Sequence, residues 1–416
     1  MIPMFDFYKE RHQLHSTDEI KPGLTAIKFA MDRLGQPQLA VPTIHVAGTN
    51  GKGSTIKMLE LMLQKHGLTT ATFMSPCIED VHDQIQFNGQ PITEQQMDAA
   101  FKEAKEKGLE NQLTDFELLT AIAFIAIKQK QPAIALIESG LGGRFDSTNV
   151  VQPIVSIIPS IALEHTRFLG HTIEEIASHK AGIIKQNKSV VIGKLPKAAE
   201  QVMEKEALLQ DAKLYCNGKD FSVNDLGEWH NTEGISFSQL QPSLKGEHQL
   251  QNMAVAIQAF IIVANECKIS IQAPLLQSAV ATTSLAGRFE NIAYNVWLDG
   301  AHNPASAETL KLTVKQIFPN QQVTMVVGIL KDKDVTNVLR QLEEVSDDFV
   351  FVRVDREQQR LMEPQQLMSL SHATQKQTAD SVLEIVQQKS KDNPVIVTGS
   401  LYLLAQWRKI LLQHLQ

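Results

Sequence analysis

At 416 residues the chain is too long for one ordinary hydrophobic core and fits two or three domains, and its 43% hydrophobic and 20% charged content is that of a globular protein. A formal charge of −7, from 39 basic and 46 acidic side chains, leaves no basic field for gripping nucleic acid, so an anionic substrate has to be met by local groups. The longest apolar stretch, Leu118 to Ile127, is shorter than a membrane span, and the opening MIPMFDFYKER lacks the apolar core of a signal peptide, so a cytoplasmic protein with no membrane contact is expected. Cys77, Cys216 and Cys267 lie far apart without metal-ligand spacing, which argues for buried or incidental thiols.

The first predicted strand is TIHVA, Thr43 to Ala47, and it runs into the turn GTNGKGST. From Ser54 to His66 apolar residues recur at helical spacing, with Ile56, Leu59 and Leu63 on one face. A strand, a glycine-punctuated turn and a helix make a phosphate-binding arrangement. Gly48, Gly51 and Gly53 let the backbone approach an anion, Lys52 meets the outer phosphates, and Ser54 or Thr55 can bind the accompanying Mg²⁺. The match to the strict P-loop pattern is imperfect, because Val46 stands where its first glycine belongs and Gly53 separates the lysine from the hydroxyl.

Further strands are expected at TATFMS, AIALIES, PIVSIIPS and SVVIGK, separated by amphipathic segments, a rhythm that gives a parallel sheet covered by helices. Ligands of such sheets gather beyond the carboxyl ends of the strands, where this chain carries Ser75, Glu138 and His165. Glu138 opens ESGLGGRFDSTN and is well placed to hold Mg²⁺; the bland alternative is an Asp-Arg surface turn that ends a strand. His165 is either a metal ligand or a hydrogen-bonded loop residue. In SHKAGIIK, Lys180 stands in an apolar setting, as a snorkelling side chain or as a lysine buried for a reason. Short polar runs with Gly218, Gly227, Gly234 and Pro242 predict hairpins between Tyr215 and Leu244, and helical spacing returns from His248 through Glu266.

Strand and helix alternation starts afresh near Asn291, after a hinge at Leu285 to Glu290, with strands at NVWLDG, VTMVVGIL, FVFVRV and PVIVTGS. DGAHNP, Asp299 to Pro304, sets an acid and an imidazole at a strand-to-helix turn where Asn303 can cap the helix. Gln358 to Gln359 and Gln365 to Gln366 read as solvated surface. The fold class is therefore α/β: an N-terminal P-loop-type, mostly parallel sheet domain with an N-terminal helical segment (1–290), followed by a smaller Rossmann-like domain (291–416).

Taken together, GLTAIKFAMDRLGQPQ, GTNGKGST, SP with NGQPIT, GLGGRFDSTN, HTRFLGHTIEEIASHKAGIIK, GRFE, DGAHNP, LKDKD and VTGSLYL resemble the folylpolyglutamate synthase and dihydrofolate synthase family of Mur-type ATP-dependent amide ligases. The resemblance covers nearly the whole chain. It implies a ligase that phosphorylates a folate-type carboxylate with ATP and joins it to the amine of L-glutamate; a monomer is expected. By the same resemblance Gly51, Lys52, Gly53, Ser54 and Thr55 bind ATP phosphates, and Ser54, Ser75, Glu138 and His165 match magnesium positions. Lys180 matches a lysine carried as a carbamate. Asn252, Arg288 and Asp299 match nucleotide-contacting positions, and His302 one near the incoming glutamate. Phe116, Glu117, Phe145, Asp146 and Ser147 lie where the pterin is handled. The chain departs from the family pattern at Cys77 for histidine, Gln84 for arginine, Ser147 for alanine, His179 for an acid and Ala286 for proline. Loss of a cation at Gln84, taken as a rim residue of the acceptor cleft, predicts a preference for shorter anionic tails. Competing readings are a P-loop ATPase or phosphotransferase, and an inactive nucleotide-binding regulatory protein.

Overall fold

The computed structural model describes residues 2, 4–19, 21–355 and 360–415, so Gln358 and Gln359 lie outside the described residues. The chain forms two compact units, residues 2–243 with 249–283, and residues 244–248 with 284–416.

The larger unit is built on an eight-stranded sheet. Across it run Gln90–Pro91, Ile85–Phe87, Thr70–Phe73, Ile134–Glu138, Thr43–Val46, Val155–Ile158, Ser189–Ile192 and Lys213–Cys216. The last six are parallel, and the first five of these are the apolar runs expected from sequence, whereas the partly exposed edge strand Lys213–Cys216 was not expected. Ile85–Phe87 and Gln90–Pro91 add an antiparallel edge hairpin that the sequence reading missed, because their polar residues hide the alternation. Thr43–Val46 is central, with Val46 in register with Glu138 on one side and Ile157 on the other. The loops leaving the carboxyl ends of its two neighbours therefore open beside the glycine-rich turn.

Helix Asp115–Lys130 is apolar on all faces and buried within the main core. Its start is fixed by a capping box in which the Thr114 hydroxyl accepts from the Glu117 amide while the Glu117 carboxylate accepts from the Thr114 amide. The N-terminal helix Phe5–His12 docks on the same core through Phe5 and Tyr8, whose rings lie 5.8 and 5.3 Å from Phe101. An ion pair from Lys9 to Asp115 and a 2.8 Å hydrogen bond between His12 and Asp98 add to this docking. The predicted hairpins form a three-stranded antiparallel sheet of Phe221–Val223, Trp229–Asn231 and Ser236–Phe237. Trp229 buries its ring and donates its indole N–H to the Ala254 carbonyl at 3.2 Å, which fastens this sheet to helix His248–Glu266.

The smaller unit has six strands in the order Glu290–Ala293, Val296–Leu298, Val395–Thr398, Thr324–Val327, Asp348–Phe351 and Gln375–Thr378. The first pair is antiparallel and the rest parallel. Gln375–Thr378 escaped the sequence reading because all four residues are polar and mostly exposed; backbone pairing with Asp348–Phe351 makes it a strand.

Phe101→Ala removes a fully buried ring together with the surface on which the N-terminal helix rests. The expected loss is about 3–5 kcal/mol of stability, read as a lowered urea midpoint with an unchanged slope.

Candidate active site

The glycine-rich turn bends because Gly51 takes a left-handed conformation, φ 80°, as the residue preceding helix Lys52–Lys65. A Cβ at Gly51 would run into the Asn252 side-chain amide, so this glycine also permits close packing. The turn is latched to the segment after strand Val155–Ile158: the Asn50 amide donates to Ser160 Oγ at 2.9 Å, Ser160 Oγ donates to the Asn50 carbonyl, and the Ala162 amide donates to Thr49 Oγ1 at 3.0 Å. Ser160 and Ala162 were not singled out from the sequence; the signal available was a serine immediately past an apolar strand.

Two lysines and one glutamate converge on this turn. Lys52 Nζ donates to the Gly48 carbonyl at 3.1 Å and to the Thr49 carbonyl at 3.3 Å, and lies 3.7 Å from Glu138 Oε1. Lys180 Nζ reaches the same Gly48 carbonyl at 2.8 Å. Glu138 is 5% exposed, and its other oxygen accepts from the Ser75 amide at 3.3 Å. Lys180 is 3% exposed, which excludes the snorkelling alternative; burial, with the Lys52 ammonium nearby, brings its amine down to about 7 from 10.5. Helix Ile173–Ala181 carries Lys180 into the turn because Gly143 lets the GLGGRFD loop lie on it: a Cβ there would stand 2.8 Å from the His179 carbonyl.

Lys52, Glu138, Ser75 and Lys180 are thus brought together around the turn. His165 sits exposed in a left-handed conformation, φ 51°, ahead of the short helix Thr166–Leu169, with Nε2 3.9 Å from Glu164 Oε1. Asn252 is buried beside Gly51 and donates to Gln249 Oε1 at 2.9 Å. Among the residues expected to handle the acceptor, Phe116 stacks on Phe73 with ring centroids 6.0 Å apart, and Phe145 is exposed against His179. Glu117, Asp146 and Ser147 have evident structural work. Glu117 closes the capping box, Asp146 accepts from the Leu141 amide at 2.7 Å and the Thr148 amide at 3.0 Å, and Ser147 shares a 2.7 Å hydrogen bond with Thr120. Burial pushes the Asp146 carboxyl above its ordinary value against the pull of those amide donors.

Gln84 is not at a rim. It is 3% exposed, donates its amide to the Met74 carbonyl at 3.3 Å, and leaves Oε1 buried without a partner. A neutral amide tolerates such a position where a guanidinium would not. Its neighbour Asp83, passed over in the sequence, organises the loop after Ser75: Oδ2 accepts from the Ile78 and Glu79 amides at 2.9 and 2.6 Å, and burial raises its carboxyl to about 6.

In the smaller unit Asp299 accepts from the Phe289 and Ala301 amides, both at 2.9 Å, and burial raises its carboxyl although the Arg288 charge opposes this. Gly300 keeps Arg288 close, since a Cβ there would stand 2.7 Å from Nη1. His302 Nδ1 is 2.7 Å from the Gly300 carbonyl, and Asn303 caps helix Pro304–Ile317 as its sequence predicts.

A nucleotide phosphate with Mg²⁺ fits the turn on two observations. The Thr55 hydroxyl is buried without a hydrogen-bond partner, and two lysine amines stand at one carbonyl, with Glu138 3.7 Å from Lys52. Among the described residues no three His, Cys, Asp or Glu side chains converge as a metal cluster. A sparse set of carboxylate and hydroxyl oxygens suits Mg²⁺, which keeps waters and phosphate oxygens in its shell, and does not suit zinc.

Between pH 7 and 10.5 the unfolded chain holds a proton on Lys180 that the folded chain has released, so this group makes stability rise with pH across that window. In carbon dioxide-free buffer, stability should therefore climb less steeply from pH 7 to pH 9 in Lys180→Met than in the parent chain, as read from urea midpoints.

Residues 46–260 match the Mur ligase middle domain and residues 286–410 the C-terminal domain of dihydrofolate synthetase. The chain is 35% identical to the dihydrofolate synthase/folylpolyglutamate synthase of Bacillus subtilis, covering 98% of this chain and 99% of that one. It is 34% identical to the folylpolyglutamate synthase of Lacticaseibacillus casei over 91% of this chain and 92% of that one. Among solved structures, E. coli FolC in complex with DHPP and ADP superposes with a TM-score of 0.89 at 29% identity, covering 98% of this chain and 97% of that one. Among the described residues no helix is long and apolar enough to cross a membrane. With a phosphate turn, paired lysines and this breadth of likeness, the chain belongs to the folylpolyglutamate synthase and dihydrofolate synthase family of ATP-dependent glutamate ligases.

Proposed function

We propose that this chain uses ATP and Mg²⁺ to activate the carboxylate of dihydropteroate or a short folyl-glutamate as an acyl phosphate, and that the amine of L-glutamate displaces the phosphate to form an amide. The observation that carries this reading is the convergence of Lys52, Lys180 and Glu138 on the Gly48 turn. A free carboxylate cannot form an amide because oxide is too poor a leaving group; phosphorylation replaces it with phosphate.

Lys52 draws the γ-phosphoryl oxygens and stabilises the charge that gathers on them during transfer. Ser54, Ser75, Glu138 and His165 are the residues that would hold Mg²⁺, which supplies further neutralisation of phosphate charge when bound. Asn252, Arg288 and Asp299 contact the nucleotide in this reading, and His302 serves the glutamate. Phe116 and Phe145 offer ring surface to a flat pterin, whereas Glu117, Asp146 and Ser147 act through the loops they brace. Lys180 is carried as a carbamate: a buried amine with a value of about 7 is substantially neutral at physiological pH and able to take up carbon dioxide. The product would be an anion in place of a cation next to the phosphate turn. The protein works as a monomer in the cytoplasm.

The related proteins support the acceptor class, since solved relatives include E. coli FolC with DHPP and ADP, and an FPGS-AMPPCP-folate complex at TM-score 0.84. The burial of Gln84 removes the reason for expecting an arginine there to capture longer tails. Gln84→Arg should instead disturb the loop that Asp83 organises, seen as lower thermal stability with no gain for longer acceptors.

Release of ADP is expected only when acceptor and L-glutamate are both present, with a product heavier by one glutamyl residue in the mass spectrum. ADP release that ignores glutamate would select a plain ATPase. Lys52→Ala should lower turnover by about 10²–10³-fold while the circular dichroism spectrum is retained, as for the loss of one charge-stabilising donor. Labelled bicarbonate should give a carbamate carbonyl resonance that Lys180→Ala lacks, and short carboxylic acids should restore part of the activity of that variant.

A further inference from the structure

Away from the phosphate turn, the larger unit holds a cavity of about 370 Å³ between helix Thr25–Arg33, the turn at Pro37–Leu39, and the segment Asn149 to Gln152. None of the residues assigned above to nucleotide, metal, glutamate or acceptor lines it. Its volume lies in the range of small-molecule sites.

Three features of its wall act together. Lys28 and Lys185 supply two amines; Lys185 Nζ donates to the Asn149 carbonyl and side chain at 3.2 and 2.8 Å, both neutral acceptors. Burial, then the neighbouring charges of Lys28 and Arg144, lowers the Lys185 amine to about 8, so this corner is short of negative charge. Gln38 is 5% exposed, gives its amide to Gln36, and leaves Oε1 buried with no hydrogen-bond partner. A buried acceptor left unmatched is unfavourable, and a donor arriving with a ligand would satisfy it. Leu24, Met31 and Val150 complete the wall with apolar surface. Asp32, the acid on this wall, accepts from the Gln36 amide.

We propose that this cavity binds a small organic anion that carries a hydrogen-bond donor on an apolar frame, its carboxylate or phosphate meeting Lys28 and Lys185 and its donor meeting Gln38 Oε1. The site goes beyond the ligase reading and does not depend on it, because binding is measured without ATP, glutamate or turnover.

The test is calorimetric titration of the full chain with 4-aminophenylacetate, which has a carboxylate, a flat ring and an amine, beside phenylacetate, which lacks the donor, and 4-methylaniline, which lacks the charge. The parent chain should bind 4-aminophenylacetate about tenfold more tightly than either partial probe. Lys28→Met, at an exposed position that does not threaten folding, should weaken 4-aminophenylacetate about tenfold and leave 4-methylaniline unchanged. Gln38→Leu should erase the advantage of 4-aminophenylacetate over phenylacetate. Lys52→Ala should leave all three affinities as they were. Absence of binding at about 10 mM, well above the weakest useful affinity for such a site, overturns the proposal. So does binding that survives both Lys28→Met and Gln38→Leu, or binding that Lys52→Ala abolishes.

Discussion

Two lysine side chains donating to one backbone carbonyl is an arrangement that like charges oppose, and the glycine-rich turn of the larger unit is organised around it. Lys52 and Lys180 come from different helices and meet at Gly48. Their repulsion is relieved in part by Glu138, which approaches Lys52 but is too far to form a tight ion pair. Burial and the Lys52 charge together hold the Lys180 amine at about 7, so the second positive charge of the cluster is readily given up. The positions of strands and glycines serve this cluster: the register of Val46 with Glu138 sets carboxylate beside turn, and Gly143 lets the Lys180 helix approach.

The residues around this cluster divide by what already occupies their polar atoms. Glu117, Asp146 and Ser147 use theirs on capping and loop hydrogen bonds, so they shape a surface by holding backbone in place. Phe145 is exposed, and Phe116 keeps one face against Phe73. The same division applies in the smaller unit, where Asp299 receives two backbone amides while Arg288 stays near it. A family motif thus mixes residues that touch ligands with residues that position them, and sequence similarity does not separate the two.

The parallel strands and the phosphate turn were legible because buried strands are continuous apolar runs and glycine spacing is local. Lys180 could be flagged from its neighbours alone, since Ala181, Gly182, Ile183 and Ile184 offer a cation nothing. Less accessible were features that depend on distant partners. The strand Gln375–Thr378 is wholly polar and is specified by its neighbour's backbone. Gln84 reads as a surface residue until the loop held by Asp83 is folded over it. The latch between Asn50 and Ser160 joins residues far apart in the chain, and a serine past an apolar strand does not name its partner.

That latch bears on how the chain is made. The strand carrying the turn is flanked by Ile134–Glu138 and Val155–Ile158, both synthesised much later, and the serine that clasps the turn follows the second of them. During translation the glycine-rich segment leaves the ribosome with neither neighbour in place. At roughly 5–20 residues per second it waits several seconds before its clasp emerges. Over that interval the nascent chain has the glycine-rich sequence without the hydrogen bonds that hold its shape. Those bonds form only once Ser160 is clear of the exit tunnel.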